Sequence, residues 1–133
     1  MGQYHILVNY DKKEVVETYG LGLGAKQVEQ LGAFKGTIAD AMYLLVMTSP
    51  ARGGGDLPLT SVSGRWAGDR VMIVGDYTED SDVPSIPNAS TLYGGDYADI
   101  TNEVADALKV AFGRDVRESF WHPENKERKG LNV

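Results

Sequence analysis

Hydrophobic residues recur at two different spacings along the chain, and the first of these spacings predicts strands. Residues 3–11, QYHILVNYD, alternate and place Tyr4, Ile6 and Val8 on one face of a strand. Residues 14–19, EVVETY, predict a second strand. Because only a short charged turn separates the two segments, we expect them to form a hairpin.

The second spacing is helical and is clearest in two segments. From Thr37 to about Met47 the apolar positions share one face, and Thr37 with Asp40 three residues later resembles a capping box. A second helix is predicted after Asp99, which is placed to cap it, and is expected to end at Gly113. The apolar residues of this second helix form one stripe, which is typical of an amphipathic surface helix.

Three further segments complete the predicted architecture. The apolar run VMIV at residues 71–74 is typical of a strand in the centre of a sheet. A short helix is predicted over residues 25–31, and the proline- and glycine-containing residues 78–96 predict a long surface loop. Because strands and helices do not alternate regularly, the fold class is predicted to be α+β, with an N-terminal hairpin and a central apolar strand packed by two main helices.

Chain length and composition indicate one domain. The 133 residues, 42% of them hydrophobic, are expected to form a single domain over residues 1–122, followed by a polar tail over residues 123–133. The absence of cysteine excludes disulfides and thiolate chemistry. No apolar stretch approaches the ~20 residues that span a bilayer, and the N-terminus does not resemble a signal peptide, so we expect a cytoplasmic protein with no membrane contact.

The charge distribution bears on the choice of partner. A net charge of −6 argues against broad nucleic-acid binding, which needs basic side chains to neutralise phosphates. Residues 71–108 contain no lysine or arginine but many acids. One interpretation is an acidic face that meets a basic partner or mimics nucleic acid, and the alternative is a solvated acidic loop.

A charged, glycine-rich turn, GRWAGDR at residues 64–70, stands directly before the apolar run. Its arginines suit phosphate or carboxylate and its tryptophan offers a stacking face, so it predicts a site for an anionic small molecule or a protein partner. The candidate ligand-binding residues are Arg65, Trp66, Asp69 and Arg70, with Arg52 of the RGGGD loop in support. The alternative is structural: Trp66 caps the core and the aspartate closes the turn.

A second function class rests on clustered aspartates. Asp56, Asp69 and Asp76 are candidate ligands for a divalent metal, which would make the protein a metal-dependent phosphoester hydrolase. Without that metal we expect no cofactor. The favoured interpretation is a non-catalytic binding module, and whether the protein is an enzyme stays open. Phe120 and Trp121 are candidates for a homo-oligomer contact, with core packing as the alternative.

Three stretches carry a family resemblance: MGQYHILVNYDKKE, RGGGD and GRWAGDRVMIVGDY. They resemble a family of short uncharacterised bacterial and phage-type proteins that open with MGQYY and carry a W-x-G-D-R and G-D-Y block. The likeness covers roughly the first 77 residues, and the chain departs from it at TYGLGLG, where the family has an aspartate between glycines. The resemblance implies kinship and assigns no role to any residue.

Overall fold

The chain folds into a mixed β-sheet flanked by two α-helices, as a computed structural model describes for residues 3–17, 21 and 36–118. In chain order the elements are β1 (His5–Asn9), β2 (Glu14–Glu17), α1 (Ile38–Val46), β3 (Val71–Gly75), β4 (Ala98–Asp99) and α2 (Thr101–Phe112). Among the described residues, 3-10 helices also lie at Asp80–Asp82, Ala89–Thr91 and Val116–Glu118. The predicted α+β class is confirmed. The predicted short helix over 25–31 and the tail over 123–133 lie outside the described residues.

The four strands are arranged in the order β3-β1-β2-β4. Strand β1 pairs antiparallel with both neighbours, so that Leu7 lies between Val16 and Ile73, and the predicted hairpin of β1 and β2 is confirmed. The two-residue strand β4, which the sequence pattern did not reveal, runs parallel to β2. The central position predicted for residues 71–74 is wrong, because β1 and β2 are the inner strands and β3 lies at an edge.

Both faces of the sheet are covered. On one face the two helices pack over Leu7 and Val16, with the completely buried Trp66 in the same cluster. On the other face the loop over residues 78–96 covers the sheet, and it inserts its own apolar side chains there: Ile86, Ala89 and Leu92. The loop therefore covers the sheet and also forms part of the protein surface. Because both faces of the sheet are covered, β1 carries the continuous apolar run Ile-Leu-Val instead of alternating apolar and polar residues.

The helices begin and end close to the predicted residues, but some of these residues make contacts other than those predicted. Thr37 is the N-cap residue of α1 but makes no side-chain capping bond; the Asp40 carboxylate instead accepts the N–H of the glycine at position 36, at 2.6 Å. The N-cap residue of α2 is Ile100, not Asp99 as predicted, and its side chain makes no capping bond; Asp99 lies one residue earlier and accepts the N–H of Thr101 at 2.8 Å. Gly113 ends α2 with φ at +74°, which confirms the predicted end.

The GRWAGDR turn closes the other end of α1. The N–H of Gly64 donates to the carbonyl of Leu44, and the N–H of Trp66 donates to that of Leu45, both at 2.8 Å. The last carbonyls of a helix lack partners within the helix, and these two receive theirs from the turn. The turn thus joins α1 to β3 through backbone hydrogen bonds.

Two glycines of this turn allow a controlled test of how closely it packs. Gly64 and Gly68 both have positive φ, +71° and +82°, but a Cβ at Gly64 would lie 2.9 Å from the carbonyl oxygen of Met47, whereas one at Gly68 would meet nothing within 4 Å. Each alanine substitution should cost about 1–2 kcal/mol for the left-handed conformation. Gly64→Ala should cost at least about 1 kcal/mol more because the backbone must shift. Urea unfolding of both variants measures the difference, and equal losses would contradict this close packing.

Candidate functional site

The carboxylate of Glu14 on β2 receives three N–H groups from the turn. Nε1 of Trp66 donates to Oε1 at 2.8 Å, and Arg65 donates from Nε to Oε1 at 3.0 Å and from Nη2 to Oε2 at 2.5 Å. The bond from Arg65, helped by that from Trp66, lowers the pKa of Glu14 against the opposing effect of burial. Trp66 is 0% exposed, so it offers no stacking face to a ligand and occupies the core, as the structural alternative proposed.

The next two charged residues of the turn bind the hairpin turn between β1 and β2. Oδ2 of Asp69 accepts from Nδ2 of Asn9 at 2.8 Å and from Nζ of Lys12 at 2.5 Å. Arg70 donates three bonds to Asp11, from its backbone N–H at 2.6 Å, from Nε at 2.9 Å and from Nη2 at 2.6 Å. The cations lower the pKa of both Asp69 and Asp11. The turn is therefore fastened to the hairpin by alternating charges.

The RGGGD loop is held by its own aspartate. Oδ2 of Asp56 accepts the backbone N–H groups of Arg52 and Gly53, both at 2.8 Å, and these two bonds lower its pKa. The Arg52 side chain does not line the cleft described below, to which Arg70 belongs. The structure thus gathers four of the five predicted ligand-binding residues at the hairpin and leaves Arg52 apart.

The three aspartates suggested as metal ligands are used separately. Asp56 holds its own loop, Asp69 is bound to Lys12, and Oδ1 of Asp76 accepts the N–H of Tyr4 at 2.9 Å. Across residues 3–17, 21 and 36–118, no three histidine or acidic side chains are grouped so that they could hold a metal ion. The geometry gives the predicted metal site no support, because each carboxylate serves a different local contact.

Acids of the base-free stretch also serve local structure. Asp80 accepts the N–H of Ser90 at 2.9 Å, which lowers its pKa, and Asp82 accepts the N–H of Glu79 at 2.9 Å. These bonds tie the loop over residues 78–96 to itself while it covers the sheet. The contacts favour the solvated-loop interpretation over a free acidic face for these carboxylates.

A cleft of about 600 Å³ opens where the hairpin turn meets the covering loop. Its polar and aromatic lining includes Tyr10, Asp11, Lys13, Arg70, Asn88, Thr91, Asp96 and Tyr97. The Arg70 guanidinium lies 4.8 Å from the centroid of the Tyr10 ring, and its side chain stays 62% exposed despite the bonds to Asp11. Arg70 is thus the residue of the predicted set that lines this cleft, and its bonds to Asp11 anchor it there.

Lys13 and Tyr97 line the cleft but do not belong to the set of predicted ligand-binding residues. Lys13 has φ at +57°, and its carbonyl accepts the N–H of Ala98 at 2.9 Å, so the start of β4 fixes its backbone beside the cleft. Burial raises the pKa of Tyr97, which lines the same cleft. Both residues reach the cleft because of where β4 and the covering loop lie. In the sequence, only the position of Lys13 in the hairpin turn and the tyrosine-rich composition pointed to them.

No protein-family model, curated protein or solved structure matches this chain. The function of the site therefore has to be inferred from its own residues. The resemblance to short proteins opening with MGQYY stays a prediction. Of the helices in the described ranges, none has the length and apolar character needed to cross a membrane.

The Glu14 contacts predict a stability difference that depends on pH. Glu14→Gln should lower the free energy of unfolding by about 2 kcal/mol near neutral pH, since hydrogen bonds to a charged group are lost. Because folding lowers the pKa of Glu14, the charged contribution is complete above its ordinary value of 4.5 and is lost as the pH falls through the lower folded-state value.

Urea unfolding of the wild type and Glu14→Gln at about pH 7 and about pH 3 should therefore show a gap that narrows in acid. Glu118→Gln, at an exposed glutamate, is the control and should show a small gap at both pH values. A Glu14→Gln gap that stays constant would show that the charge of Glu14 does not stabilise the fold.

Proposed function

We propose that this protein is a small non-catalytic module that binds an anionic small molecule in the cleft between the hairpin turn and the covering loop. The observation that carries the proposal is the meeting of Arg70, from the glycine-rich turn, with Lys13, from the hairpin turn, in one cleft beside Tyr10 and Tyr97. Pockets of this size, with aromatic walls and a few placed polar groups, are typical of small-ligand sites.

The arginine is prepared for an anion by its surroundings. Asp11 binds Nε and Nη2 of Arg70, and Tyr10 lies against the guanidinium plane, so the side chain is oriented before a ligand arrives. A guanidinium held in this way loses little conformational entropy when its remaining N–H groups bind a carboxylate or phosphate. Lys13 also lines the cleft and adds a second positive charge.

The acids in the cleft narrow the ligand class. Asp11 and Asp96 balance the charges of Lys13 and Arg70, so the lining has no excess positive charge. A simple anion would gain little from such a site, whereas a molecule with one anionic group and several hydroxyl donors would satisfy both cations and carboxylates. Sugar phosphates have this chemistry.

The ionisation of the site favours binding over acid–base catalysis. The hydrogen bonds from Arg70 lower the pKa of Asp11, which lines the cleft. A general acid or base works best with a pKa near the operating pH, and the pKa of Asp11 is shifted away from it. Asp11 serves instead as a fixed acceptor that orients Arg70.

Removal of the second cation tests the proposal without breaking the Arg70–Asp11 pair. With glucose 6-phosphate as the probe, Lys13→Gln should weaken binding about 10- to 100-fold, because one charge-assisted hydrogen bond is lost. Arg70→Gln should weaken it at least as much. Isothermal titration calorimetry of each variant measures the dissociation constant, and thermal shift confirms that binding favours the folded state.

Arg114→Gln is the matched control, because Arg114 is exposed and lies outside the cleft lining, and it removes the same charge. It should leave the dissociation constant unchanged. Equal weakening by all three variants would show that binding responds only to net charge. If neither glucose 6-phosphate nor inorganic phosphate nor citrate binds the wild type, the small-molecule proposal fails, and a protein partner or a purely structural turn becomes the interpretation.

A further inference from the structure

Another cavity, of about 590 Å³, lies at the carboxyl end of α1, where the chain leaves the helix and enters the RGGGD loop. Its volume is within the range of small-molecule sites. It shares no lining residue with the cleft that contains Arg70, so a ligand here is independent of the anion proposed above. The lining residues that carry the argument are Tyr43, Val46, Met47, Pro50, Asp56 and Leu57.

Large apolar side chains are exposed together around this cavity. Tyr43 is 69% exposed and Leu57 is 39% exposed, and Leu59, two residues beyond the lining, is also exposed. Single exposed hydrophobic residues are ordinary on a protein surface, but a group of them marks a place where another molecule binds. The walls of the cavity therefore favour a ligand with an apolar body.

The cavity contains one charged side chain, and that charge is negative. Oδ2 of Asp56 accepts the backbone N–H groups of Gly53 and Arg52, and these bonds lower its pKa, so the carboxylate is ionised near neutral pH. Within the described ranges Asp56 forms no ion pair, and no lysine or arginine lines the cavity. Because both bonds use Oδ2, the lone pairs of Oδ1 are left for a further donor.

Two further features of the cavity favour a positive charge. Helix α1 ends beside it at Val46 and has no basic residue in its last turn. The carboxyl end of a helix carries a partial negative charge that attracts cations. The exposed ring of Tyr43 adds a π face, to which ammonium groups are also attracted. The carboxylate, the helix end and the ring all select the same sign of charge.

We propose that this cavity binds an organic cation, whose ammonium group pairs with Asp56 and whose apolar or aromatic body packs against Tyr43, Met47 and Leu57. A hydrated metal ion would gain nothing from the apolar walls, and a neutral apolar molecule would leave the carboxylate without a partner. A molecule that combines an ammonium group with an apolar body uses both parts of the lining.

Heteronuclear NMR titration of the full chain with tryptamine tests the proposal. Tryptamine is an indole that carries an ammonium group at neutral pH, and tryptophol, which has a hydroxyl in its place, is its neutral counterpart. Amide signals from residues 43–57 should shift with tryptamine. The dissociation constant of tryptamine should be about fivefold lower than that of tryptophol, because only tryptamine forms an ion pair with the exposed carboxylate.

Asp56→Asn removes the charge but keeps a side-chain oxygen that can accept the two backbone N–H groups of the loop. It should weaken the binding of tryptamine about fivefold and leave that of tryptophol unchanged. Asp82→Asn is the matched control, because Asp82 also accepts a backbone N–H group of its own loop but lies outside the lining. It should change neither dissociation constant. Circular dichroism shows whether both variants are folded.

Three results would overturn the proposal. The first is that tryptamine at millimolar concentration shifts no signal from residues 43–57. The second is that tryptophol binds as tightly as tryptamine, and the third is that Asp56→Asn weakens both ligands equally or neither. A lysine-rich peptide that shifts these signals where tryptamine does not would assign the surface to a basic protein partner instead.

Discussion

The ion pair between Glu14 and Arg65, completed by the hydrogen bond from Trp66, is the contact on which the rest of the structure depends. Glu14 is 7% exposed, and a carboxylate so far from water is tolerated only when its oxygens are paired. Two of its three donors come from a guanidinium and one from an indole that fills the core. One side chain thus fixes β2, the core and the turn before β3 at the same point.

The other contacts of the turn follow from that position. Once Trp66 is seated, the residues after it run beside the hairpin, where Asp69 meets Lys12 and Arg70 meets Asp11. The turn also supplies N–H groups to the last carbonyls of α1. It is therefore a structural junction first, and it presents Arg70 to the cleft because the junction holds that residue at the start of β3.

Local features of this fold were predictable from sequence, and long-range ones were not. The helices and the end of α2 at Gly113 depend on spacing and capping within a few residues. The partner of Trp66 lies 52 residues away, and nothing in the turn itself indicates it. The apolar run of β3 correctly predicted a strand but not its edge position, because strand order depends on pairing between distant segments.

The candidate site likewise combines one residue that was predictable from local sequence with others whose role depends on long-range contacts. Arg70 was predictable because a guanidinium in a glycine-rich turn suits an anion whatever the fold. The accessibility of its neighbours Trp66 and Arg65 could not be predicted. These side chains bind Glu14 only because the fold brings β2 and the turn together. Lys13 and Tyr97 join the cleft only because β4 lies beside the hairpin and the loop crosses the sheet.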